Sequence, residues 1–249
     1  MLIDRPDKRN SLTDDIVASL IECLSEAGRD ESVRAILISG TGDHFCAGFD
    51  IVSRNSGGGD RPRVGSIQRR LPTQAHRLIP MVLSVQTPVV VVARGWAAGI
   101  GLHLLLAADF AVVADDARLW EPFTERGFTP DSGATWLLPR RIGEIRAREM
   151  LTLGRSVTGA EAAEWGMVHR AAPASEIDKA GEEVLDRLSD GPTVALGLTK
   201  WLLHVGCSSP LDRQLEHEAL ALELSSRSED FREGLAAFKE RRPPRFSGR

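Results

Sequence analysis

Two short stretches of the chain combine small residues with the start of an apolar segment, a pattern that brings backbone N–H groups to a surface. In Cys46-Ala47-Gly48-Phe49-Asp50 two small residues permit a tight turn with main chain close to a ligand. Gly95-Trp96-Ala97-Ala98-Gly99-Ile100-Gly101 stands between a β-branched run and a helical one. Free N–H groups at a helix N-terminus, with the helix dipole behind them, favour negative charge. The second stretch is not a GxGxxG motif and no acidic partner for a ribose follows a second strand, which argues against a dinucleotide site. Each stretch alone also has a purely structural reading: a tight turn with Asp50 capping a helix, and a helix packed closely on a sheet. Together they suggest two converging N–H donors, an oxyanion hole, in which losing one donor typically costs roughly 3 kcal/mol of transition-state stabilisation.

Among side chains, Asp131 lies in TPDSGATWLLPR, where a loop meets a helix. Its residue-level reading is an N-cap, with Ser132 to Trp136 as the first turn. His103 follows the glycine turn; with a helix starting near Gly101 it could face a pocket as a base or orient a water, or be a buried histidine with its hydrogen bond satisfied. His44 reads as a strand-end residue, and no cluster has metal-ligand spacing.

These groups must be held by a scaffold. Val33–Ser39 and Pro88–Ala93 are continuous β-branched runs, hence buried strands, and Asp109–Ala114 is a third. Strand, glycine turn, helix over 102–108 and strand make a βαβ unit, which favours a parallel sheet and a right-handed crossover. Thr13–Ala27 has helical spacing with Thr13 as N-cap. Ser53–Arg63 should be mobile, and Ile67–Val85 helical, with Pro72 and Pro80 near its ends or interrupting it. Arg146–Leu153, Gly159–Trp165, Ser175–Leu188, Pro192–Leu203 and the amphipathic run Pro210–Glu240 read as helices. A helical tail with exposed apolar faces often packs on another subunit.

The 249 residues allow one large domain, and a net charge of −4 gives no bulk attraction to nucleic acid or anionic lipid. The longest apolar stretch, Ile100–Val113, is interrupted by His103 and Asp109 and is too short for a bilayer. Three cysteines without regular spacing argue against a disulfide framework, and the N-terminal residues lack the apolar region of a secretion signal. A soluble, cytoplasmic protein is expected.

Five segments, in order, resemble the crotonase (enoyl-CoA hydratase/isomerase) superfamily: RPDKRNSL at 5–12, FCAGFDI at 45–51, GWAAGIGLHLLLAADF at 95–110, FTERGFTPDSGATWLLPRRIG at 123–143 and FKERRPPRFSG at 238–248. The resemblance implies an α/β fold, a crotonase-like stacked ββα superhelix with a helical C-terminal trimerisation region. It would be a single domain over 1–249, with an α/β spiral core to residue 190 and a helical region from 191. By the same likeness, the N–H groups of Phe49 and Ile100 hold a thioester oxygen. Bent CoA lies near Arg9, Ala47 and the C-terminal segment of a neighbouring copy, where Lys239 stands. Gly48, Asp50, Ile51, Trp96, Gly99, Phe123, Pro130 and Trp136 fall in the segments that would line the acyl-CoA site. The implied assembly is a homotrimer or dimer of trimers. No separate cofactor and no metal is expected, coenzyme A being part of the acyl-CoA substrate. Family members usually carry a strand or hairpin ahead of the RPDKRN segment; three residues precede Asp4 here.

The chain departs from the family's hydratases at both glutamate positions, which hold His103 and Phe123. That puts efficient hydration in doubt. Glu121 and Glu125 flank Phe123 and are expected to point to the other face. The loop is similar to that of phenylacetate-pathway enoyl-CoA isomerases, in which an aspartate at the place of Asp131 shuttles a proton between the α and γ carbons. The implied activity is double-bond isomerisation; the alternatives are a hydratase of atypical site using His103 and a non-catalytic acyl-CoA binder.

Overall fold

The computed structural model describes residues 1–51 and 63–249. At its centre is a parallel sheet of β1 (Leu2–Ile3), β2 (Ile36–Gly40), β3 (Val89–Ala93), β5 (Phe110–Ala114) and β8 (Arg170–Ala172), in the order β1-β2-β3-β5-β8. A smaller sheet holds β4 (Trp96–Ala98), β6 (Arg118–Trp120) and β7 (Val157–Thr158). All of β3 is buried, as a run of valines covered on both faces requires. It pairs in parallel with β2 at Leu37↔Val90 and with β5 at Val91↔Ala111.

Helices cover these sheets. They are α1 (Asp14–Ala27), α2 (Ser66–Arg70), α3 (Leu78–Ser84), α4 (Ile100–Ala107), α5 (Ala134–Leu153), α6 (Gly159–Glu164), α7 (Ile177–Ser189), α8 (Thr193–Gly206), α9 (Leu211–Ser225) and α10 (Glu229–Glu240). The chain runs from β3 in the large sheet to β4 in the small one and then into α4. It repeats the pattern with β5, β6 and α5. These are two turns of a stacked ββα architecture, and the chain ends in helices. Every residue of α4 is buried, so this helix lies inside the molecule, and its first turn is where the glycine segment ends.

The predicted elements differ from the observed ones in instructive places. Thr13 caps α1 as expected, its Oγ1 accepting from the Ile16 N–H at 3.3 Å. The strand expected from Val33 is β2, which starts at Ile36; Arg34 ahead of it donates to the Gly191 and Phe246 carbonyls and to Thr193 Oγ1. The span 67–85 is not one helix: 3-10 turns at Leu71–Thr73 and Ala75–Arg77 separate α2 from α3. Pro72, which has no N–H, sits in the first of these turns, while Pro80 is tolerated in the first turn of α3. The run 210–240 divides into α9 and α10 where Ser228 accepts from the Phe231 N–H at 3.0 Å. Helix α5 runs on from Ala134 through the segment 146–153 that was expected as a separate helix, and kinks at Gly143 (φ 76°, ψ 165°). The expected mobile stretch 53–63 lies outside the described residues but for Arg63.

Asp109, at the head of β5, ties the tail to the core. Its Oδ2 accepts from the Val89 N–H at 2.7 Å and meets Lys200 Nζ of α8 at 2.7 Å.

Candidate active site

Segment 45–50 is stitched to β4 across the small sheet. The Phe45 N–H donates to the Arg94 carbonyl at 2.8 Å, the Cys46 N–H to Trp96 at 2.9 Å, and the Ala98 N–H back to Cys46 at 2.9 Å. Two glycines allow this approach. A side chain on Gly101 would begin 2.6 Å from the Cys46 carbonyl oxygen, and one on Gly48 (φ 99°) would begin 3.1 Å from that of Ala98. Phe49 stands one residue past Gly48 and Ile100 two past Ala98, so this closure sets the two turns side by side.

The other side of segment 46–50 is held by residues 5–12. The Leu12 N–H donates to the Gly48 carbonyl and the Asp50 N–H to the Leu12 carbonyl, both at 2.8 Å. In such a parallel bridge the N–H of the opposed residue, Phe49, points away from Leu12. The Ala47 N–H donates to the carbonyl of Arg9, itself in a left-handed conformation at φ 50°. Arg5 Nη1 meets Asp50 Oδ2 at 2.8 Å, and buried Asn10 donates to the Thr41 and His44 carbonyls. Asp50 therefore takes part in an ion pair that anchors the turn. On the second turn, Gly99 precedes α4 and its N–H reaches the Trp120 carbonyl at 3.0 Å. Ile100 opens the helix, where N–H groups have no intrahelical acceptor.

Behind these turns lies a buried polar pair. His103 Nε2 is 3.0 Å from Glu121 Oε1 and 3.3 Å from Oε2, and both side chains are 0% exposed. Burial pushes the Glu121 carboxyl up from its ordinary value, His103 beside it pulls the other way, and the charge of Asp131 pushes it up further. Phe123 stacks on the His103 ring (centroids 6.0 Å apart, planes at 8°) and meets Phe128 edge-on. The expectation that Glu121 and Phe123 point to opposite faces is corrected: both meet the His103 ring, Glu121 through its carboxylate and Phe123 by stacking. Glu125 is exposed and lies against Gly154.

Asp131 does not cap a helix. The cap position of α5 is Gly133, with no side-chain bond, and only the Asp131 carbonyl takes part, accepting from the Ala134 N–H at 3.1 Å. Ser132 (φ 48°) and Gly133 (φ 97°) are both left-handed, which delays the helix beyond the start the sequence suggested. The Asp131 carboxylate is half-buried and takes no hydrogen bond or ion pair among the described residues, yet its charge is felt by Glu121.

The chain that carries these two turns has counterparts among known proteins. A family model described as enoyl-CoA hydratase/isomerase matches residues 1–249. The chain belongs to this crotonase family. It is 34% identical over 250 residues to the 1,2-epoxyphenylacetyl-CoA isomerase of Escherichia coli, covering 100% of this chain and 94% of that one. It is 36% identical to a "probable enoyl-CoA hydratase" of Rhodobacter capsulatus, covering 99% and 93%. The crystal structure of an enoyl-CoA hydratase from Bacillus anthracis superimposes with a TM-score of 0.92 at 29% identity, covering 100% of this chain and 94% of the other.

Around the two turns the structure gathers Arg9, Ala47, Gly48, Phe49, Asp50 and Ile51 with Trp96, Gly99, Ile100, His103 and Phe123 through the bonds and ring contacts described. Ile51, half-buried, donates to the Phe49 carbonyl. Trp96 packs against Trp120 at 5.7 Å. Pro130 and Asp131 stand half-buried on the loop before α5, and no hydrogen bond or ring contact among the described residues joins Pro130 to the turns. Trp136 is not joined to this group: it is 38% exposed, lies under the Arg140 guanidinium and faces His204 of α8. Lys239, exposed in the last turn of α10, has no hydrogen bond or ion pair with these residues. Glu121 is the residue that sequence reasoning turned the wrong way; its partner His103 lies 18 residues earlier, on another element.

Proposed function

We propose that the protein is an enoyl-CoA double-bond isomerase with Asp131 as its acid/base. The thioester carbonyl lies between the N–H groups of Phe49 and Ile100. The Asp131 carboxylate removes an α or γ proton, leaving a dienolate whose negative charge the two N–H groups stabilise. The protonated Asp131 returns that proton at the other end of the dienolate, and the double bond moves with no net change in composition. The observation that carries this reading is the unengaged Asp131 carboxylate beside a buried site, with Phe123 where a hydratase would hold its second carboxylate. The relative named as an isomerase supports it. CoA is bound near Arg9 and Ala47, with Lys239 of a neighbouring copy, in a homotrimer or dimer of trimers. Apolar residues left exposed on α9 and α10 support that assembly. A cytoplasmic setting is proposed as well, supported by three free thiols, a state favoured in reducing compartments. Among the described residues no helix is long and apolar enough to cross a membrane.

The test is a spectrophotometric assay of 3-enoyl-CoA and 2-enoyl-CoA with the wild type and Asp131→Asn. Migration of the double bond should fall by about 10²–10⁴-fold in the variant, the usual contribution of a positioned acid/base. The His103–Glu121 pair favours a second reading, an atypical hydratase using His103. It requires hydration of 2-enoyl-CoA that survives Asp131→Asn and disappears in His103→Ala. Binding of both thioesters without turnover of either would identify a non-catalytic acyl-CoA binder instead.

A further inference from the structure

No polar group aims the Asp131 carboxylate among the described residues, so its position depends on the loop that carries it. Gly127 (φ 74°) at one end and Ser132 and Gly133 at the other are left-handed and turn the chain. The Phe128 N–H donates to the Phe123 carbonyl at 3.1 Å. From Thr129 to Gly133 no main-chain N–H donates to a main-chain carbonyl among the described residues. At its far end the loop rests on α3, where a side chain on Gly133 would start 3.7 Å from Ile79 Cγ2. At its near end Phe128 meets Phe123 edge-on, centroids 5.4 Å apart and planes at 90°, a preferred geometry for two aromatic rings. Phe123 is itself fixed: it is buried against the His103 ring, and its Cζ lies 3.8 Å from where a side chain on Gly99 would start. The charge of Asp131 acts on Glu121, which is bonded to that same His103. Both ends of the stretch 128–131 therefore stand near one cluster of side chains.

We propose that Phe128 is a positioning residue for Asp131: its edge-on seat on Phe123 sets the distance between the Asp131 loop and the turn of Gly99 and Ile100. The link from Phe128 to Asp131 is stiff. Pro130 has a fixed φ, and its ring restricts Thr129 before it. A shift of Phe128 is therefore passed on to Asp131 rather than absorbed. Such a shift matters for a base that must reach two carbons in turn, since a misplacement of about 1 Å can cost about a hundredfold in rate. Phe128 is 40% exposed, so its ring adds little to the core and can be cut back without unfolding the chain. The proposal rests on the isomerase reading, with Asp131 as the acid/base.

The experiment measures isomerisation of 3-enoyl-CoA by the wild type, Phe128→Ala, Phe128→Leu, Asp131→Asn and the double variant Phe128→Ala with Asp131→Asn, each checked for folding by thermal unfolding. Phe128→Ala should lower kcat by about 10- to 100-fold and leave KM within about twofold of the wild type. Phe128→Leu keeps apolar bulk against Phe123 and should recover most of the rate. The double variant should be no slower than Asp131→Asn alone, because a missing base has no position to lose. Four results overturn the proposal and spare the reading of Asp131: an unaltered kcat in Phe128→Ala, a raised KM at unchanged kcat (the ring then touches the acyl chain), losses that multiply in the double variant, or a Phe128→Ala chain that does not fold. An Asp131→Asn variant as fast as the wild type overturns the acid/base reading itself, and the proposal with it.

Discussion

Glu121 is held where an ionised carboxylate is poorly accommodated, and the consequence is a pH-dependent stability. Its carboxyl is raised in the folded state, chiefly by burial and further by the charge of Asp131, with His103 opposing. For a group whose folded value is raised, the associated stability is fully present below the unfolded carboxylate range and is lost as pH rises through the folded value. Glu121→Gln is uncharged throughout, so its melting temperature should gain on the wild type as pH rises above the ordinary glutamate range, about 4. Thermal unfolding at rising pH checks it; a constant difference would mean that the bond to His103 compensates fully. Much at this scale was legible. The glycines at 48, 99 and 101 and the Asp131 loop announce themselves by type and spacing. The His103–Glu121 contact was not, because it joins a helix to a strand end 18 residues later and neither residue is unusual in its own segment.

At the scale of elements, α8 is fastened to the sheet by Lys200, which is buried and paired with Asp109 at 2.7 Å. Burial lowers the Lys200 ammonium from its ordinary value while Asp109 holds it up. Removing Lys200 leaves the Asp109 carboxylate, largely withdrawn from solvent, with the Val89 N–H as its remaining partner. Lys200→Ala should therefore destabilise the fold by about 3 kcal/mol, and Lys200→Met with Asp109→Asn by clearly less. Urea denaturation of the variants measures both. Helix α1, its Thr13 cap and strands β3 and β5 could be read from pattern alone, since buried valines and amphipathic spacing are local signals. Strands β4, β6, β7 and β8 could not: each is two or three residues long and exists through pairing with distant chain. Arg34, which stands ahead of β2 and reaches residues 191, 193 and 246, is the same lesson in one side chain.

For the whole molecule, the tail presents apolar residues to solvent that an isolated chain has no use for: Leu222 is 66% exposed and Phe238 84%. Sedimentation equilibrium should give three or six times the mass of one chain, and Leu222→Glu should shift the distribution toward monomers. A wild-type protein that sediments as a monomer at micromolar concentration would exclude the proposed assembly. The fold class was readable because five separated segments carry the family likeness in order, whereas the number of copies is written only in the shape of the outer surface.

The pairing of segment 45–50 with β4 also bears on how the protein comes into being. Cys46 and Ala97, the bridge that closes the two turns on each other, are about fifty residues apart in the chain. Helices such as α1 can form from their own neighbours within about a microsecond, but a contact of this range waits for a long loop to close. On the ribosome, the Phe49 turn leaves the exit tunnel well before Ile100 has been added. For that interval the nascent chain carries one of the two turns to which the oxyanion hole is proposed to belong, and the parallel edge of β2 stands open until β3 arrives to cover it.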